Sequence, residues 1–286
     1  FTFVHGSICD RNLMERVFHH YIVHGVIHLA AESHVDRSIK DPFSFAQTNV
    51  MGTLSLLQAA KLYWNKDFKD KLFYHVSTDE VYGSLGKDGF FLESTAYDPH
   101  SPYSASKAGA EELAVAYQNT YKMPIYITHT MNVFGQRQHP EKFIPMTIRN
   151  VRDGGTVTIH SDETKTIPGS RHYIHAEDVA DATLFLLENE RTLDMTNNTG
   201  IKCPKFNICG STELNNLELA QLIAESQGKE LNYEFMDFHS SRPGHDLRYA
   251  LSGDRMANMG WTPQPVRERI DEVVQWTLNN RRWLDI

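Results

Sequence analysis

The sequence predicts an α/β fold built on a parallel sheet, and three observations predict it. Short apolar runs, "GVIHLAA" (residues 25–31), "KLFYHVS" (71–77) and "PIYITHTMN" (124–132), have the content of strands buried on both faces. Longer segments with helical patterning, "DPFSFAQTNVMGTLSLLQAAKLYW" and "SPYSASKAGAEELAVAYQNTY", separate them. Strands alternating with helices call for right-handed crossovers in a doubly wound, Rossmann-type sheet.

The elements follow in order. "FTFVHG" at the start reads as strand. Asp41 before Pro42 marks a helix start, a capping residue followed by proline in the first turn. After Asn132 the alternation loosens. "PEKFIPMTIRNVRDGG" reads as a short helix and "TVTIH" as a strand. "HAEDVADATLFLLEN" is strongly helical, with carboxylates in its first turn. "KFNICG" suits a strand that rejoins the sheet, and "NNLELAQLIAESQG" is a helix stopped by Gly228. "ELNYEFMDF" alternates like an exposed strand. The last segment is an amphipathic helix whose Val273, Val274, Trp276 and Leu278 form a core face. The organisation predicted is a Rossmann-type domain over 1–135, to which 172–210 returns, and a smaller interleaved α/β substrate-binding lobe over 136–286.

Composition narrows the function. A chain of 286 residues with net charge −8 lacks the basic face that nucleic acid or an anionic membrane requires. No apolar run approaches the ~20 residues that span a bilayer. Three cysteines without C-x-x-C spacing fit free thiols in a reducing cytoplasm. His24 and His28 are four apart in or beside a strand, where such positions are distant. With no H-E-x-x-H or Cys/His ligand set, no metal is expected.

The chemistry concentrates in two places. "STDE", Ser77 to Glu80, falls at the carboxyl end of the second strand, where doubly wound sheets bind ligands. Adjacent carboxyls raise each other's cost of ionising, so one can serve as acid and the other as base, the pair that elimination of water needs. "YSASK" puts Tyr103 and Lys107 four apart on one helix face, where an ammonium favours the phenolate.

Together, "HLAAESHVDRSI", "NVMGT", "STDEVYG", "SPYSASKA", "HPEKFIP" and "RPGHDLRY" resemble the extended short-chain dehydrogenase/reductases, and more narrowly the nucleoside-diphosphate-glucose 4,6-dehydratases. The resemblance covers essentially the whole chain, and "STDEVYG" is its specific part. It implies NAD as cofactor, a nucleoside-diphosphate sugar as substrate (dTDP-glucose, with UDP-glucose the alternative) and a homodimer through the helices over 42–64 and from Tyr103. Tyr103 would take the proton from the hydroxyl on carbon 4, positioned by Thr78, while NAD accepts the hydride. Lys107 would hold the nicotinamide ribose. Glu80 would remove the carbon 5 proton and Asp79 would protonate the leaving hydroxyl on carbon 6. Ala30, Ala31, Ser33, Ser77 and Asn132 would lie against the cofactor. Glu32, Ser33, Asn132, Glu141 and Lys142 would line the substrate pocket, with Arg171 and Arg242 on the diphosphate. An epimerase or decarboxylase of UDP-sugars is a second reading, and a binding or scaffold protein without cofactor a third.

Two departures accompany the resemblance. Arg171 is followed by His172 where the family commonly has aspartate, and "HSDETKTIPGS" before it is longer than usual. The family's opening strand, glycine-rich turn and helix, which receive the cofactor pyrophosphate, have no counterpart in this sequence. The expectation is an upstream segment of roughly 50 to 60 residues, more than one βαβ unit, without which NAD binding is weak.

Overall fold

The structure, a computed structural model, describes residues 1–189, 203–237 and 247–284. These residues form two compact units. The first comprises 1–83, 95–129 and, in its described part, 203–206; the second comprises 84–94, 130–189, 207–237 and 247–284.

The first unit is organised on strands β1 (Gly25–His28), β2 (Leu72–Thr78), β3 (Ile125–Thr130) and the start of β8 (Lys205–Ile208), which form a sheet in the order β1-β2-β3-β8. β1 and β2 pair in parallel, Gly25 opposite Leu72 and His28 opposite His75. Helix α1 (Arg11–Tyr21) packs on α4 (Thr53–Trp64), and both α4 and the short α2 (Val35–Lys40) pack on α5 (Pro102–Tyr121). The apolar faces of α1, α4 and α5 meet the sheet in a core of Met14, Phe18, Leu57, Trp64, Phe73, Ala114, Ile125 and Ile127, all buried.

Three features of this unit differ from the sequence reading. Residues 1–5 join no ladder among the described residues, and Phe1 and Phe3 are exposed; a strand exists only where its backbone groups find partners. Helix α1 was not anticipated, because only Met14 and Phe18 of its largely polar sequence are buried. Its start is nonetheless written in Asp10, whose carboxylate accepts the Leu13 N–H at 3.0 Å. The segment from Pro42 to Trp64 is helical throughout but not uniformly α. α3 (Pro42–Phe45) and α4 flank a π-helical stretch, Ala46–Gly52. Such stretches occur frequently at functional sites.

The second unit packs α6 (Phe143–Asp153), α8 (Asn216–Ser226) and the helix Val266–Asn279 around a core that includes Ile148, Leu219, Ile223, Ile270 and Val274. Val273 and Val274 are buried as the helical pattern predicts, with Leu278 partly buried against the same core. β5 (Val157–Ser161) and β10 (Tyr233–Asp237) pair in parallel. Two small ladders complete it, β4 (Val133–Phe134) parallel to β7 (Ile174–His175) and β6 (Ser170–Arg171) antiparallel to β9 (Leu214–Asn215). α7 (Ala176–Glu188) belongs to this unit. Residues 84–94 join it because Phe91 donates to the Ala250 carbonyl at 2.8 Å and accepts from Ser252 at 3.0 Å. All three cysteines are free.

Candidate active site

β2 is buried along nearly its whole length and delivers Ser77 and Thr78 to its carboxyl end. There the chain turns into a single 3₁₀ turn, Asp79–Tyr82, capped by the Thr78 hydroxyl, which accepts the Glu80 N–H at 3.3 Å. The turn stops at Gly83, whose φ of +79° belongs to the left-handed region and whose missing side chain lets the Asp98 carbonyl approach. Asp98 N–H in turn bonds the Val81 carbonyl at 3.0 Å. The two neighbouring carboxylates are thus fixed at a strand end; Asp79 is buried and Glu80 half-buried.

α5 brings the second pair. Ser101 and Ser104 form a reciprocal capping box, and Pro102 opens the helix. Tyr103 and Lys107 follow on one face, both buried. The Tyr103 ring packs edge-on against Phe45 at 6.2 Å, and Thr78 lies close to its phenol. Burial, with Glu80 and Asp79 nearby, pushes the phenol well above its ordinary value; only the neighbouring Thr78 hydroxyl works in the other direction. The Lys107 ammonium donates to the Val76 carbonyl at 2.7 Å. Burial draws it down to about 8, against the pull of Glu111.

Two further residues frame this arrangement. Asn49, in the π-helical stretch, accepts the Glu32 N–H at 2.9 Å and donates to the Glu32 carbonyl at 3.0 Å and to Ser106 Oγ at 2.8 Å. Ser106 donates to the Tyr103 carbonyl at 2.7 Å. One amide therefore ties the loop after β1 to the helix that bears Tyr103. Around it, Ala30, Ala31 and Ser33 are exposed and Glu32 is half-buried. Glu111, one turn beyond Lys107, is fully buried and accepts hydrogen bonds from Ser77 and Tyr97, with His129 Nε2 at 3.0 Å. The regular spacing 103, 107, 111 was the available signal for Glu111; Asn49 left none beyond the motif "NVMGT".

The other sequence-predicted residues lie in the second unit. Asn132 is exposed beside β4, and its carbonyl accepts the Ile174 N–H at 3.2 Å. Glu141 lies 3.5 Å from His139 Nδ1, and Lys142 is the N-cap residue of α6. The Arg171 guanidinium lies over the Tyr249 ring at 4.5 Å, and its Nη1 donates to the Ser170 and Leu247 carbonyls at 2.6 and 2.7 Å. Arg242 lies outside the described residues. The departures around Arg171 have local accounts. His172 is buried with Nδ1 3.1 Å from the Gly210 carbonyl. The long segment before Arg171 closes on Asp162, which accepts the Thr164 hydroxyl and the N–H groups of Thr166 and Ile167 at 2.5 to 2.9 Å.

A parallel sheet carrying a tyrosine–lysine pair and a Thr-Asp-Glu turn defines an extended short-chain dehydrogenase/reductase. Comparison with known proteins narrows this. The GDP-mannose 4,6-dehydratase family model matches residues 1–275. dTDP-glucose 4,6-dehydratase 1 of Escherichia coli K12 is 38% identical over 305 residues, spanning 100% of this chain and 81% of the relative. The Neisseria gonorrhoeae dTDP-glucose 4,6-dehydratase is 39% identical over 297 residues, spanning 98% and 82%. A crystal structure of a dTDP-glucose 4,6-dehydratase from Streptomyces venezuelae, with NAD bound, superposes with a TM-score of 0.82 at 36% identity, over 99% of this chain and 81% of that one. A Thermus thermophilus UDP-glucose 4-epimerase complex with NAD also superposes, with a TM-score of 0.81 at 26% identity, over 95% and 83%. The chain belongs to the nucleoside-diphosphate-sugar 4,6-dehydratase family.

Proposed function

We propose that this protein is an NAD-dependent hydro-lyase that converts dTDP-glucose to the 4-keto-6-deoxy sugar nucleotide and water. The observation that carries the reading is the turn Thr78–Asp79–Glu80 at the end of β2, which sets two neighbouring carboxylates beside the buried phenol of Tyr103. An epimerase needs only the tyrosine; a dehydratase also needs an acid and a base for adjacent carbons. The relatives named above as dTDP-glucose 4,6-dehydratases supply the sugar nucleotide.

The residues present fit the nicotinamide-ribose end of a nicotinamide dinucleotide. The Lys107 ammonium spends one N–H on Val76 and keeps the valence for ribose hydroxyls, while Ala30 and Ala31 offer no bulk at the end of β1. NAD, when bound, accepts hydride from carbon 4 and returns it to carbon 6, so that the reaction consumes no cofactor. Tyr103 takes the proton of the carbon 4 hydroxyl, and Thr78 orients that hydroxyl and the phenol together. Once carbon 4 is a ketone, the carbon 5 proton is acidic and Glu80 removes it. Asp79 donates the proton that lets the carbon 6 hydroxyl leave as water. Burial of Asp79 and Tyr103 limits competing proton exchange with bulk water.

Arg171, its guanidinium set over Tyr249, is the proposed contact for the diphosphate, with Asn132, Glu141 and Lys142 on the nucleotide sugar. The enzyme acts in the cytoplasm, consistent with its free cysteines. It does so as a homodimer through α4 and α5, which expose Leu62 and Tyr121. The test is incubation with dTDP-glucose and with UDP-glucose, followed by NMR of the product. A 4-keto-6-deoxy product from dTDP-glucose is expected. A carbon 4 epimer without water loss would assign the protein to the epimerases instead.

A further inference from the structure

Lys107 and the end of β2 share a neighbour that the proposed chemistry leaves unused. Glu111 lies on the same face of α5, one turn beyond Lys107. It is fully buried, and a carboxylate is costly there unless paired and hydrogen-bonded. The structure satisfies it on every side. Ser77 donates to one oxygen; Tyr97 and His129 bond the other, with the Lys205 ammonium 3.9 Å from it. His129 is itself set by the Tyr82 hydroxyl, 3.0 Å from its Nδ1. Tyr82 ends the very turn that carries Asp79 and Glu80. The ring of bonds around Glu111 therefore grips that turn at both ends, through Ser77 on one side and through His129 and Tyr82 on the other.

We propose that Glu111 is a positioning residue of the active site, locking the Thr78–Asp79–Glu80 turn through Ser77 and supplying the counter-charge of the Lys107 ammonium. The proposal rests on the reading of the site given above, and its two halves are separable. A buried carboxylate with this many donors stays ionised: burial raises Glu111, but His129 beside it and the bonds from His129, Ser77 and Tyr97 bring it below its ordinary value. The other titratable groups around Lys107 give it no such support. His28 on β1, His75 on β2 and His129 on β3 carry no negative charge, and burial holds the Tyr103 phenol above its ordinary value. Asp79 and Glu80 act on Tyr103. Glu111 is the charge that opposes the burial of Lys107.

The experiment reads Lys107 directly, without substrate or cofactor. The chain is labelled with ¹³C,¹⁵N-lysine, the Lys107 signal is assigned from Lys107→Met, and its titration is followed by NMR. Glu111→Gln keeps the shape and removes the charge, so the proton affinity of Lys107 falls roughly 10- to 100-fold. Ser77→Ala keeps the charge and removes the tether. Lys107 then titrates as before, but the amides of Thr78 to Tyr82 exchange with solvent roughly 10-fold faster, as loss of a buried hydrogen bond dictates. An unmoved Lys107 titration in a folded Glu111→Gln chain overturns the counter-charge, and unmoved exchange in Ser77→Ala overturns the tether. If Glu111→Gln does not fold, Glu111→Asp, which withdraws the charge by one methylene, takes its place: weaker proton binding at Lys107 supports the proposal and an unchanged value overturns it. Because neither readout involves turnover, a wrong substrate assignment leaves both results standing.

Discussion

His28 and His75 occupy paired positions across the β1–β2 ladder, their ring centroids 5.3 Å apart, both buried. His28 Nε2 bonds the Thr53 hydroxyl at 2.9 Å, and neither ring nitrogen of His75 has a hydrogen-bond partner among the described residues. Burial, with the Lys107 ammonium close by, brings His28 down to about 4 and His75 well below its ordinary value. Both are neutral in the folded protein at pH 7.

This pair predicts acid sensitivity. A histidine of depressed basicity binds its proton in the unfolded chain first, so stability is full above pH 6.5 and falls as pH drops from 6.5 towards 4. For His28 alone the loss is about 3 kcal/mol across that window. Chemical denaturation at pH 7 and at pH 4.5 measures it. His28→Gln should flatten the dependence; an equally steep loss in that variant would assign the acid sensitivity to other groups.

Asn49 predicts a coupled loss of stability and rate. Asn49→Ala removes three hydrogen bonds and leaves the Glu32 backbone and Ser106 to find new partners. Each buried group left unsatisfied costs about 1 to 3 kcal/mol. The urea midpoint should fall accordingly, and kcat should fall with it because the loop after β1 loses its tie to α5. Ser106→Ala, which leaves the Glu32 bonds in place, should cost less on both counts.

Tyr103→Phe should lower kcat about 10²- to 10⁴-fold with little change in affinity for the sugar nucleotide, since the ring against Phe45 is preserved and only the proton-transfer group is lost. Thr78→Val separates positioning from chemistry. Burial and the two carboxylates hold the Tyr103 phenol high, and the neighbouring Thr78 hydroxyl alone opposes them. Without it the phenol ionises at still higher pH. The rising limb of the kcat/KM profile should therefore move towards alkaline pH, and a limb that stays in place would show that another group is the base.

Much of this site was legible because it is local. Ser77–Glu80 sit at the end of one strand, and Tyr103 and Lys107 one turn apart on one helix, so strand and helix periodicity place them without knowledge of the fold. Asn49 and the bonding of Glu111 were not legible, because the partners lie 17 and 57 residues away for Asn49, and 14 to 34 residues away for Glu111 in Ser77, Tyr97 and His129. The π-helical stretch left no trace either, since it changes which carbonyl each N–H meets rather than which residues are apolar. The second unit was harder throughout: its ladders β4–β7 and β6–β9 are two residues long, too short for any periodicity.

The two carboxylates of the turn make the sharpest prediction. Glu80→Gln cannot accept the carbon 5 proton, so the reaction stops at the 4-keto stage and solvent deuterium stays out of carbon 5. Asp79→Asn keeps Glu80 intact. Deuterium then enters carbon 5 while loss of water slows, because the substituted amide has no acidic proton to give the departing hydroxyl. The assignment is the one the family resemblance implies; in the turn Asp79 is the buried member, its Oδ1 3.1 Å from the Thr78 hydroxyl, and Glu80 is half-buried. Mass spectrometry of the sugar nucleotide after incubation in heavy water reads both variants. Exchange that persists in Glu80→Gln and vanishes in Asp79→Asn would reverse the two roles. Normal dehydration by both variants would reduce the Thr-Asp-Glu turn to a structural cap on β2, and the elimination would then need a different acid and base.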